Sequence, residues 1–162
     1  MPVVVRQLAS SLLQVMRSLE ENAAVNAKKW ADAYTDYAKP AIAGPAIPQW
    51  IGNESQKMSP VLQTAMKTPV PNPSAFATAL ATGVEAFWLL PPVIFTPPGG
   101  AGAVTAFPGK PALIAGLTAV LSAPQPEQAA AESIAAQLDI ATKTVLVTYT
   151  IPPNPPVIAP VT

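Results

Sequence analysis

The chain contains neither cysteine nor histidine. Disulfides and thiolate metal sites are therefore excluded, and so are the commonest general base, the thiolate nucleophile and most transition-metal ligand sets. Charge is scarce as well: 11% of the 162 residues are charged, against about a quarter in ordinary soluble domains. Nine basic and nine acidic side chains cancel. Zero net charge favours association over colloidal repulsion, and a balanced chain has no basic excess with which to attract nucleic acid. No apolar run reaches the ~20 residues of a membrane helix, since Ala86–Phe95 is interrupted by Pro91-Pro92 and Ala112–Ala123 is short. Met1–Leu13 lacks the basic, apolar and cleavage regions of a signal peptide, so intracellular synthesis is expected.

What the chain has in abundance is apolar residues, at 50%, and proline, at 21 residues. Length fits one domain with a modest core. The few charges are unevenly spread. Glu85 stands alone between Lys67 and Lys110, and none follows Lys143, so those stretches are expected to face other protein.

The fold class expected is mainly α. From Leu8 to Tyr37 the apolar residues Leu8, Leu12, Val15, Leu19, Ala23, Trp30, Tyr34 and Tyr37 keep helical spacing with an eleven-residue recurrence, which predicts one long amphipathic N-terminal helix ending before Pro40. Residues 1–40 form this first segment. A Pro-rich connector over 41–72 follows, with a short helix at Pro60–Lys67 opened by Ser59-Pro60. Within 73–142, Asn72-Pro73 opens a buried helix to Leu90, Pro91–Gly102 reads as a Pro/Gly loop, and Pro111 and Pro126 start two more apolar helices. The last segment, 143–162, alternates β-branched residues over Thr144–Ile151, the single strong strand signal, and ends in an extended polyproline tail. Partners for that strand are sought in a neighbouring subunit. The internal candidates Val3–Val5, Val93–Thr96 and Ala103–Phe107 are short or interrupted.

No residues are assigned to catalysis, cofactor or metal. Asp32 and Asp36, four apart, could pair as acids or hold a cation, but beside Lys28 and Lys29 they read as a solvated, ion-paired helix face. Gly99-Gly100-Ala101-Gly102 lacks the lysine and the strand–loop–helix setting of a phosphate loop. Trp30, Trp50 and Trp88 lack the basic groove of a base-stacking platform, which leaves them as core or interface anchors. The expected interface comprises Leu12, Leu19, Trp30 and Tyr34 on the long helix, Trp50 in the connector, and a docking arm formed by Val145, Val147, Tyr149, Ile151, Pro155 and Pro156.

The N-terminal helix, the block Phe87–Gly102 with Phe107-Pro108-Gly109, and the Thr/Val strand with its proline tail together resemble the small virion proteins of tailed bacteriophages. That resemblance covers residues 80–162 in style and implies a non-enzymatic head, neck or tail component. Its partners would be copies of itself and other structural proteins of the virion. A non-viral shell or filament subunit is the alternative, and a small membrane-active protein is a further one.

Overall fold

The computed structural model describes residues 3–67 and 72–162. Six helices and five strands alternate along them: α1 (Val3–Arg17), α2 (Ala23–Ala38), β1 (Ile47–Gln49), α3 (Glu54–Met66), α4 (Pro73–Leu89), β2 (Ile94–Thr96), β3 (Ala101–Ala106), α5 (Lys110–Ser122), α6 (Glu127–Thr142), β4 (Leu146–Thr150) and β5 (Val157–Pro160). The fold is thus mixed, with a five-stranded antiparallel sheet beside the helices, rather than mainly helical with one strand.

The expected long N-terminal helix is two helices. Ser18–Asn22 makes a turn in which the Asn22 carboxamide oxygen accepts the backbone N–H groups of Ala24 (2.9 Å) and Val25 (3.4 Å), capping α2. Asn26 then clamps the turn from inside α2, accepting from Glu20 N and donating to Glu20 O. Neither proline nor glycine marks the break, so helical periodicity runs through it in the sequence. Folding back lets Leu8 and Leu12 on α1 and Trp30 and Tyr34 on α2 enter one core, while Leu19, expected on the same stripe, lies in the turn and is exposed.

The helix foreseen at Pro60–Lys67 begins six residues earlier, at Glu54, and carries Pro60 inside it. Its start is fastened by the Glu54 carboxylate, which accepts the N–H groups of Ile51 (2.7 Å) and Gly52 (3.0 Å). The other three helices lie close to their expected spans, and Asn72 caps α4 through Ser74 N and Ala75 N as its sequence indicates. The last residues of the expected 41–72 connector, 68–71, lie outside the described residues.

Three corrections concern the strands. Pro91–Gly102 is no loop: it supplies β2 and the start of β3, joined at a turn where Gly99 takes φ +73° and Gly100 N–H donates to Pro97 O. Thr144–Ile151 finds its partners inside the chain, β4 pairing with β3 on one side and β5 on the other. The proline tail turns back at Ile151–Asn154 and becomes β5, after which Val161 is buried.

The five strands lie in chain order, every neighbour antiparallel. Their two edges are joined. Ile42 and Thr162 exchange both backbone hydrogen bonds (3.1 and 2.9 Å), and Ala43 and Ala46 exchange theirs (3.0 Å each), linking the end of β5 to the start of β1. The helices close in the same manner: each packs on its chain neighbours, and α6 packs back on α1, with no other close helix pair among the described residues.

This double closure exposes a threefold organisation. The order is helix pair and β1, helix pair and β2–β3, helix pair and β4–β5. The 162 residues divide into three stretches of 54, and corresponding positions share their roles. Ala27, Ala81 and Ala135, spaced by 54, are all fully buried and each lies on the second helix of its pair. Tyr34, Trp88 and Thr142 have the same spacing and meet one another at the centre. The hairpin tips Gly44-Pro45, Pro98-Gly99 and Pro152-Pro153 also correspond.

Candidate functional site

The centre of the molecule is polar where the three helical pairs converge. Trp88 Nε1–H donates to Tyr34 Oη at 2.8 Å, and Tyr34 Oη shares a 2.8 Å hydrogen bond with Thr142 Oγ1, so α4, α2 and α6 are tied at one point. The Phe87 ring stands edge-on to Tyr34, 5.1 Å between centroids. Beside this triad, Tyr37 Oη–H donates to Asp139 Oδ1 (2.8 Å), and Asp139 also pairs with Lys143 (2.7 Å). Burial pushes the Tyr34 phenol up to about 12, partly offset by its hydrogen bonds. Burial also raises Tyr37, helped by the hydrogen bond to the neighbouring carboxylate. Both phenols therefore stay protonated at neutral pH, which suits fastening the helices and does not suit a phenolate base.

Among the described residues, one concavity opens beside this centre and others lie elsewhere among the helices. A cavity of about 210 Å³ opens beside Tyr37, lined by Val4, Val5, Asp139, Val161 and Thr162. A polar groove of about 670 Å³ runs between α2 and α3. Its walls include Asp32 and Asp36, which are paired with Lys28 (2.5 Å) and Lys39 (2.6 Å) respectively, in keeping with an ion-paired helix face. Lys29, also expected to support Asp32, turns instead to Glu20 (2.8 Å) and Ser18 O. An apolar cavity of about 440 Å³ lies among Met16, Trp30, Met66 and Phe76. Among the described residues every buried side-chain nitrogen and oxygen has a partner, and no group of three potential ligands could hold a metal ion.

The residues expected at an interface are distributed differently. Leu12, Trp30, Tyr34, Val145, Val147 and Tyr149 belong to the chain's own core, and so offer a neighbour no surface. Trp50 is half-buried, its ring against Phe87 and Trp88 and its Nε1–H donating to Lys39 O (3.1 Å). Trp30 packs edge-on against Phe76, away from the other two tryptophans. Ile151 is half-buried; only Leu19, Pro155 and Pro156 are exposed. The arm of β4 and the tail is held by Ile42 of the same chain.

The surface that remains distinctive belongs to the sheet. Pro40–Asn53, Ala86–Gly109 and Thr144–Thr162 contain every strand and not one charged residue; all nine basic and nine acidic side chains lie in or beside the helices. The inward positions of the strands carry Phe95, Val104, Val147 and Tyr149. Their outward neighbours form a row across the whole sheet, Gln49–Ile94–Ala103–Thr148–Ile158, in which each residue is the register partner of the next. Ile47, Ile94 and Ile158 on this side are about half or more exposed. Aliphatic exposure on an uncharged surface is costly in water and commonly marks a contact with other protein. The charge gaps were readable in the sequence, whereas the outward isoleucines needed the strand register.

No family model, curated protein or solved structure matches the chain. No helix of the described residues is long and apolar enough to cross a membrane.

Proposed function

We propose that this chain is a non-enzymatic structural subunit of a multi-copy assembly, a head, neck or tail component of a tailed-phage virion. The observation that supports it is the segregation of charge: strands, hairpins and their connections are uncharged and expose isoleucine, while the helical layer carries all the ion pairs. Such a two-sided subunit keeps one layer solvated and buries the other against protein. The contact surface in this reading is the outer side of the sheet in place of the long helix and free arm first expected. The phenols at the centre fit the same reading, because they are locked in hydrogen bonds that position helices.

Mass spectrometry of purified virions from the source, combined with sedimentation of the isolated chain, tests the proposal. Stoichiometric presence in virions supports it. Absence from virions together with large self-assembled particles would move the chain to a non-viral shell or filament. A clean monomer with turnover of a substrate, abolished by one point substitution, would sink it.

A further inference from the structure

We infer that the polar groove between α2 and α3 binds a neutral saccharide, with Trp50 as the platform for a sugar ring and the two helical walls as partners for its hydroxyls. The inference goes beyond the assembly reading and stands independently of it. Polarity in this chain is concentrated here. Only 11% of the residues are charged, yet Lys28, Asp32, Asp36, Lys39 and Glu54 all line this one groove. Its volume of about 670 Å³ lies within the range of small-molecule sites and has room for a short oligosaccharide. The α2 wall repeats a charge pair, Lys28 with Asp32 (2.5 Å) and Lys39 with Asp36 (2.6 Å). Facing it, α3 contributes Gln56, Ser59 and Gln63, neutral side chains at helical spacing. Trp50 also lines the groove and is fixed before any ligand arrives, its ring against Phe87 and Trp88 and its Nε1–H on Lys39 O (3.1 Å).

The bonding pattern decides the ligand class. An anion finds both lysines engaged by aspartates, and it also meets the Glu54 carboxylate, 4% exposed and held by the N–H groups of Ile51 and Gly52. A cation meets carboxylates that already have partners. An extended peptide finds no strand edge, since both walls are helices whose backbone groups bond within them. An apolar ligand would strip water from the polar walls and replace none of its hydrogen bonds. What these walls offer repeatedly is a donor beside an acceptor: ammonium beside carboxylate on α2, and the two ends of each carboxamide on α3. A hydroxyl donates and accepts at once, so it fits each such pair and leaves neither member unpaired. Asp32 and Asp36 stand one helical turn apart, ~5–6 Å, which calls for hydroxyls repeated along the ligand at that scale. The ligand must also show an apolar face to the indole. A pyranose does both, with hydroxyls at its rim and C–H groups on its face, whose positive hydrogens suit the negative π-face of tryptophan.

The full chain, fluorescently labelled, is screened on an array of neutral, sulfated and carboxylated oligosaccharides, and the best-bound glycan is then titrated by calorimetry, with far-UV circular dichroism on each variant. The wild type is expected to bind neutral oligosaccharides, with an affinity that changes little with ionic strength. Trp50→Ala should weaken binding about tenfold or more, and Asp36→Asn and Gln63→Ala severalfold each. Gln128→Ala, on α6 and outside the groove, should leave it unchanged. Because Trp50 also packs on Phe87 and Trp88, its variant is read beside Ser59→Trp, which fills the groove from the α3 wall and should abolish binding in a chain with an unaltered spectrum. A wild type that binds no neutral glycan at millimolar concentration would overturn the inference. Retention of sulfated or carboxylated glycans alone, lost as salt is raised, would overturn it by assigning the groove to an anion. Folded Ser59→Trp and Gln63→Ala proteins that bind like the wild type would place any saccharide elsewhere and overturn it too.

Discussion

Tyr34→Phe is the most informative single substitution in this fold. It keeps the ring that meets Phe87 edge-on and deletes only the oxygen shared by Trp88 Nε1–H and Thr142 Oγ1. Trp88 is fully buried, and its indole N–H has no second partner, so it loses its only hydrogen bond. Leaving a buried donor unpaired costs about 1–3 kcal/mol. Thr142, also buried, can turn its hydroxyl to a carbonyl one turn back in α6, so its loss is smaller, about 0.5–1 kcal/mol. The phenol's own desolvation is relieved, which trims the total to about 1–3 kcal/mol. At roughly 2–4 °C per kcal/mol for a chain of this length, Tm should fall by about 2–12 °C. Thermal unfolding followed by tryptophan fluorescence and far-UV circular dichroism reads this directly. Trp88→Phe and the double variant complete a cycle, in which the pair should be clearly non-additive. A Tyr34→Phe protein as stable as the wild type, with an additive cycle, would refute the idea that the triad fastens the three helical pairs together.

Raising the pH tests the same centre. Tyr34 has its pKa raised from 10.0 to about 12, so its contribution is fully present below pH 10 and is lost as pH climbs through that interval. Stability should fall between pH 10 and 12, and less steeply in Tyr34→Phe; equal slopes would count against it. Deleting residues 152–162 removes β5 and Val161 and strips one side of β4, so the truncated chain should lose much of its cooperative unfolding transition, measured by circular dichroism. An intact transition would restore the tail to the status of a free arm. Circular permutation tests the threefold closure: joining Thr162 to Met1 by a short Gly/Ser linker and opening the chain at Pro108–Gly109 should give the same spectrum and one sharp melt. Val5 and Thr162 already line one cavity, which brings the start of α1 and the end of the chain to the same place. A permutant that collapses without a cooperative melt would deny the equivalence of the three junctions. Finally, Gly102→Val should prevent β3–β4 pairing, since a Cβ there would lie 2.7 Å from Thr148 O; a soluble, natively folded variant would contradict the register.

The amino-acid sequence by itself determined the local elements. Asn72-Pro73 capped α4, the apolar stretches after Pro111 and Pro126 became α5 and α6, and β-branched alternation marked β4, because caps, proline positions and side-chain periodicity act over a few residues. It also determined where charge is absent, and with it the uncharged sheet layer. Only the tertiary structure decided what those elements pair with. Val157–Pro160 has much the same extended backbone as a polyproline segment or as a strand, and the difference is whether Leu146–Tyr149 lies alongside. The break at Ser18–Asn22 is equally non-local, since a continuous helix and a capped turn satisfy the same periodicity until the buried surface of both halves is counted. The 54-residue repetition is hard to read in the sequence because corresponding residues such as Tyr34, Trp88 and Thr142 are chemically unlike. They share a position in space and a hydrogen-bond network, and side chains brought together from three distant turns of chain acquire that only when the ring closes.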